Sequence, residues 1–298
     1  MKMSTLSTAL FLSLGVLFTT ACTPKYEEVK IPDAPEAAMR VIADQLGLAN
    51  AGVLWTALPP TYRTDLTGLV REAGAKIDPE MYDGGFSTLG KLANVLETKR
   101  DFFLSSFMAS QADKTEAQTN WGPGVAMLRT LVTSEVSTVN GLQTFELQEF
   151  LASTGSKMLK IAQQMSLNGG SASMVDHLRA TTFTADTVTA TTAMLRIVRE
   201  GEETRTEEYT KVEGRWVPSE MAAEWTQKVA DAKTRLAKLT PEDMAKNKPQ
   251  IMGAITMVNG VLDQLAAAES QEQFDRALQG AMMPIMGLVM MSQKLTSP

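Results

Sequence analysis

A mainly helical α+β fold, a helical bundle with a small antiparallel sheet of about three strands and C-terminal helices, is predicted for this chain by three observations. Apolar residues recur at helical spacing on both sides of a threonine-rich interval. Residues 180–218 abandon that spacing and carry strand formers. Pairs of Gly and Pro punctuate the helical stretches. With 298 residues, 44% of them hydrophobic, the chain can build one large core or two small ones.

The first element is an address. Lys2 is a positive start, Ala9 to Phe18 is an apolar run too short to span a bilayer, and Thr19-Thr20-Ala21 supplies small residues for a peptidase, so residues 1–21 read as an export signal. Directly after them stands Cys22, the only cysteine. This junction resembles the lipobox of bacterial lipoproteins, although that family prefers Leu where this chain has Thr19. The resemblance implies cleavage before Cys22, diacylation of its thiol and acylation of the new amine. Several acyl chains, at about 0.8 kcal/mol per buried CH₂, anchor a protein durably. An Asp after the cysteine tends to retain such proteins in the inner membrane; Thr23 in that place implies the outer membrane, with the body facing the periplasm. The alternative is an ordinary secretory site, which would leave Cys22 as a free thiol on a soluble protein. Residues 22–36 then form the lipidated end and a tether, Tyr26 to Pro35 being charged and carrying two prolines.

Residues 37–298 form the body, and 37–168 read as short helices packed into a bundle. Leu66, Leu69, Val70, Ala73 and Ile77 share one helical face after Pro59-Pro60, and Leu89, Leu92, Val95 and Leu96 share another before Lys99-Arg100. Phe102, Phe103, Phe107 and Met108 make a dense apolar patch. Trp121-Gly122-Pro123-Gly124 is expected to interrupt the pattern, which restarts at Val125 and Leu128. Leu147, Phe150, Leu151, Met158 and Leu159 carry it on to a stop at Asn168-Gly169-Gly170.

Between 180 and 218, Thr181, Thr182, Thr184, Thr187, Val188, Thr189, Thr191 and Thr192 favour strand, and Leu195, Ile197 and Val198 follow. Gly201 and Glu213-Gly214 are the turn candidates, which gives three antiparallel strands. Strand, acidic turn, strand and a closing Gly214-Arg215-Trp216-Val217-Pro218 resemble the last strands of small cone-shaped periplasmic domains of the nuclear-transport-factor-2 type. That likeness covers under 40 residues and implies topology alone.

Residues 219–298 return to helix. Ser219 is a candidate cap for a helix through Trp225, Val229, Ala232 and Leu236, and Thr240-Pro241-Glu242-Asp243 supplies the cap, first-turn proline and acids of another. Ile251, Ile255, Val258, Val261, Leu262 and Leu265 form an apolar stripe. Ser270 with Gln273 is a capping-box signature, and Pro284 should end or kink the last helix. Methionine is abundant, with 19 in the chain, and Met282, Met286 and Met290 fall on one helical face. Amid Ile285, Leu288 and Val289 they read as pliable core or a hydrophobic contact surface rather than a Cu(I) site.

Composition and motifs exclude more chemistry than they support. Removing residues 1–21 leaves 27 basic against 34 acidic residues, a formal charge of −7, which speaks against nucleic acid. Gly85 to Leu92 has the glycines and lysine of a phosphate loop but Leu92 where Ser or Thr must hold magnesium, and it reads as a turn interrupting a helix; Thr154-Gly155-Ser156-Lys157 lacks the first glycine and sits mid-helix. His177 is the only histidine, so a multi-histidine metal site cannot form. At the helix-to-sheet junction it reads as a polar residue rather than a base, with a hydrolase built on it or on carboxylates as the third reading. Glu202-Glu203, Glu207-Glu208 and Glu242-Asp243 are adjacent acids, not a pair across a cleft. No cofactor and no catalytic residue is expected. The reading is an anchored, non-enzymatic module that binds or scaffolds an envelope protein or cell-wall component. Its rival is a carrier of a lipid or other hydrophobic ligand in a methionine-lined pocket. A closed apolar cavity would favour the carrier, an exposed apolar surface on a solid core the scaffold, and a polar cleft with buried acids a hydrolase.

Overall fold

The structure, a computed structural model, describes residues 28–106, 111–168, 174–199 and 202–281. Cys22, Met282, Met286 and Met290, together with Phe107, Met108, Gly169, Gly170, Gly201 and Pro284, lie outside them. The order is α1 (Pro35–Gly47), α2 (Val53–Ala57), α3 (Pro60–Lys76), α4 (Pro79–Thr98), α5 (Arg100–Ser105), α6 (Gln111–Val132), α7 (Val139–Gln143), α8 (Leu147–Phe150), α9 (Ser156–Asn168) and α10 (Met174–Ala180). Then come β1 (Thr182–Val188), β2 (Thr192–Val198), β3 (Arg205–Val212), β4 (Arg215–Pro218), α11 (Ser219–Ala237), α12 (Pro241–Ala267) and α13 (271–281). The chain is mainly α with one antiparallel sheet and C-terminal helices, as its patterning predicts.

The sheet has four strands in the order β1-β2-β3-β4, one more than expected. The extra turn is Thr189-Ala190-Thr191, which contains no Gly, Pro, Asn or Asp. A hydroxyl replaces them: Thr189 Oγ1 accepts from Thr192 N at 2.9 Å and Thr191 N at 3.3 Å. The turn at Glu213-Gly214 falls where expected, with both residues at positive φ, 48° and 78°. Leu195 and Ala193 of β2, Tyr209 of β3 and Trp216 of β4 meet Ala38 of α1 in one buried cluster. Burial, then the nearby Glu207 carboxylate, pushes the Tyr209 phenol up to about 12. The supposed tether is partly docked on this cluster. Ile31 packs against it, Trp216 Nε1 donates to the Asp33 carbonyl at 2.7 Å, Lys211 pairs with Asp33, and Pro35 already opens α1.

A second cluster joins Val95 of α4, Leu262 and Leu265 of α12, Ala268 and Phe274, with Phe102 and Phe103 of α5 packed against it. Asp78 caps α4 through Met81 N at 3.0 Å, and Lys248 reaches from α12 to Asp78 at 2.9 Å and Glu80 at 2.7 Å. Thr240 caps α12 by accepting from Asp243 N at 3.1 Å. At α13, Ser270 Oγ accepts from Gln273 N at 3.3 Å while the Gln273 amide accepts from Glu269 N at 2.9 Å, a capping box displaced by one residue at its return bond.

Three further sequence expectations fail. Pro123 and its flanking glycines do not interrupt α6, which runs from Gln111 to Val132. Trp121 anchors that turn by donating from Nε1 to the Leu96 carbonyl at 2.9 Å and lying 5.5 Å from Phe103, so packing outweighs the missing hydrogen bond. Gly85 to Leu92 is likewise uninterrupted helix within α4. Ser219 caps nothing; its hydroxyl sits 2.7 Å from Thr210 Oγ1 on β3, tying the start of α11 to the sheet. Thr154 to Lys157 does lie within continuous helical backbone, across the π-helical turn Leu151–Gly155.

Candidate functional site

α11 follows directly on β4, so its first half is fixed by the sheet and by α3. Trp225 stacks on Tyr62 with ring centroids 3.7 Å apart and planes 7° from parallel, and Trp225 Nε1 donates to Asp65 at 2.9 Å. The start of α3 is fixed in turn by the β3–β4 turn, because Glu213 accepts from Thr61 N at 2.9 Å and from Thr61 Oγ1 at 2.5 Å. This carboxylate caps a helix far from it in sequence, and the bonds from Thr61 hold its pKa below the usual carboxylate value. A lowered pKa adds stability above the ordinary carboxylate range and loses it as pH falls through the lowered value. The stability gap between the wild type and Glu213→Gln is therefore expected to be open at neutral pH and to close on acidification, as read by urea midpoints along a pH series.

Beyond Trp225 the two helices part. Val229, Ala232 and Leu236 continue the apolar row of α11 and Leu239 follows just past its end, but none of the helix's 19 residues is buried. Opposite them stand Leu69, Val70 and Ala73 of α3, and between the helices lies an open groove of about 590 Å³. Lys228, Asp231 and Arg235 form its polar edge. The cause is the turn at Lys238-Leu239-Thr240, after which α12 packs along α4 rather than along α11. Sequence reasoning found both apolar rows but did not say what covers them. The signal it passed over is Lys228 and Arg235, seven residues apart on one edge of the row, where a covered helix would carry apolar residues.

A second apolar recess, of about 280 Å³, lies among α4, α12 and α13. Leu89, Leu92, Val258, Val261 and Leu278 line it, with Phe103 and the half-exposed Met257.

The candidate chemical groups are not brought together. His177 is exposed at the end of α10, where its carbonyl accepts from Thr181 N and Oγ1. Glu202 faces Arg199 and Arg205, Glu207 and Glu208 are exposed on β3, and Glu242 and Asp243 occupy the first turn of α12. The most elaborate carboxylate is Glu135. Its burial raises the pKa, but its own backbone N–H, the hydroxyls of Thr154 and Ser153 and the Lys157 charge bring it below the usual value. These partners saturate it as a bolt between a short 3₁₀ turn and the π-helical turn before α9. Among the described residues no group of three or more His, Cys, Asp or Glu could hold a metal ion, and no helix is long and apolar enough to cross a membrane. The site therefore defines a helical surface bearing apolar concavities. Comparison with family models, with curated proteins and with solved structures finds no match.

Proposed function

We propose that this chain is a lipid-anchored envelope protein, acylated at Cys22 and held at the outer membrane with its body in the periplasm, which binds another protein without catalysis. The observation that carries the reading is the open groove between α3 and α11, apolar on its floor and bordered by charge. A helix row that stays half-buried along its length leaves apolar area for a partner to cover. The carboxylates that could serve acid-base chemistry are dispersed, paired or saturated, and they supply no reading of comparable strength.

The test is a photo-crosslinking amino acid at Leu236 in cells, read in the outer-membrane fraction beside Cys22→Ala, with intact mass to measure acylation. A discrete adduct on an acylated chain, lost when Cys22→Ala leaves the membrane, is the expected result. An unmodified Cys22 and a soluble wild type would overturn the anchor, and absence of any discrete adduct would overturn the groove. The recess at Met257 favours a carrier as the second reading. Under that reading native mass spectrometry of the purified protein shows a stoichiometric lipid, displaced in Val261→Trp.

A further inference from the structure

We infer that the groove between α3 and α11 receives an acidic amphipathic helix of the partner. This rests on the binding-module reading and specifies the chemistry of what is bound. The floor at Val70, Ala73 and Leu236 lies between two helices, so the occupant must be convex. A helix rod meets that condition, whereas a bilayer surface cannot reach a floor recessed between two walls.

Charge selects the kind of helix. From Lys228 to Lys238, the second half of α11 and its C-cap carry Lys228, Lys233, Arg235 and Lys238 against the single acid Asp231, a net charge of +3 within a chain of net charge −6. Lys228 is engaged by Glu224 at 2.7 Å, but Lys233, Arg235 and Lys238 have no ion pair among the described residues. Arg235 itself lines the groove. The negative end of the α11 dipole tolerates this crowd of cations without satisfying them. Carboxylates flanking an apolar i, i+4, i+7 row on a docked helix would meet the cationic lip while the row covered the floor.

The test is fluorescence anisotropy on the full mature chain with a labelled helical peptide of about 15 residues, enough to cover the roughly 14 Å of α11 from Lys228 to Ala237. One peptide carries a leucine row flanked by glutamates, and its counterpart carries the same row flanked by lysines. The glutamate peptide is expected to bind about tenfold more tightly, with the difference shrinking at high salt. Arg235→Glu should erase the preference and Val70→Asp should weaken both peptides, each with an unchanged circular dichroism spectrum. Equal binding of the two peptides, or tighter binding of the lysine peptide, overturns the inference. If neither peptide binds while the Leu236 adduct persists in cells, the acidic helix is wrong and the binding module stands; if both are absent, both readings fail.

Discussion

Phe274→Ala is expected to lower the stability of the folded chain by about 3–5 kcal/mol. Phe274 is 0% exposed. Its ring lies 4.7 Å from that of Phe103, edge to face, and 5.6 Å from that of Phe102, so one side chain of α13 is clasped by two from α5. Around it the backbone is already committed: Gln271 Nε2 donates to the Phe102 carbonyl at 3.0 Å and Lys99 Nζ to the Ala268 carbonyl at 2.6 Å. These bonds keep the walls apart when the ring is removed, and a site that cannot collapse carries the full cavity cost. Urea unfolding should show a lower midpoint at unchanged slope. Phe274→Leu, which fills most of the volume, should cost under about 1.5 kcal/mol. A loss of under about 0.5 kcal/mol for the alanine variant, the scale of a surface change, would mean that α13 is not part of the cooperative core.

The second large effect is a difference in sign along one helix. Gly74 and Gly68 both lie in α3, yet a Cβ at Gly74 would stand 2.7 Å from Leu142 Cβ and 2.9 Å from Gln143 N of α7, whereas one at Gly68 would meet nothing within 4 Å. The contact at Gly74 is with a β-carbon and a backbone nitrogen, neither of which can rotate away. Gly74→Ala should therefore push α7 off α3 and cost about 1–3 kcal/mol, and Gly68→Ala should stabilise by about 0.5–1 kcal/mol through helix propensity alone. The Gln143 amide bond to the Gly74 carbonyl, at 3.1 Å, reports the same approach, so amide exchange across α7 should quicken in Gly74→Ala and not in Gly68→Ala. Equal shifts in thermal midpoint for the two variants would show that the helices are not in close contact.

Much of the fold was legible because it rests on local rules. The limits of the sheet, 182–218 against the expected 180–218, follow from threonines that resist helix, and the starts of α4 and α12 follow from Asp78-Pro79 and Thr240-Pro241. The missed turn at Thr189-Ala190-Thr191 was illegible because a hydroxyl did the work usually assigned to Gly or Asn. The α6 helix through Pro123 was illegible for a different reason: the compensation comes from Leu96 and Phe103, distant in sequence.

The candidate site divides the same way. Periodicity named the residues of both groove walls, since it determines which side of a helix is apolar. It could not say whether that side is covered, because coverage depends on where the next helix goes. Of this protein the sequence by itself determined the class of fold and the succession of helices, small sheet and C-terminal helices along the chain. Only the tertiary structure decided that α12 leaves α11 for α4, that Glu213 caps α3, and that one apolar row remains open, because each depends on contacts between segments that no local pattern relates.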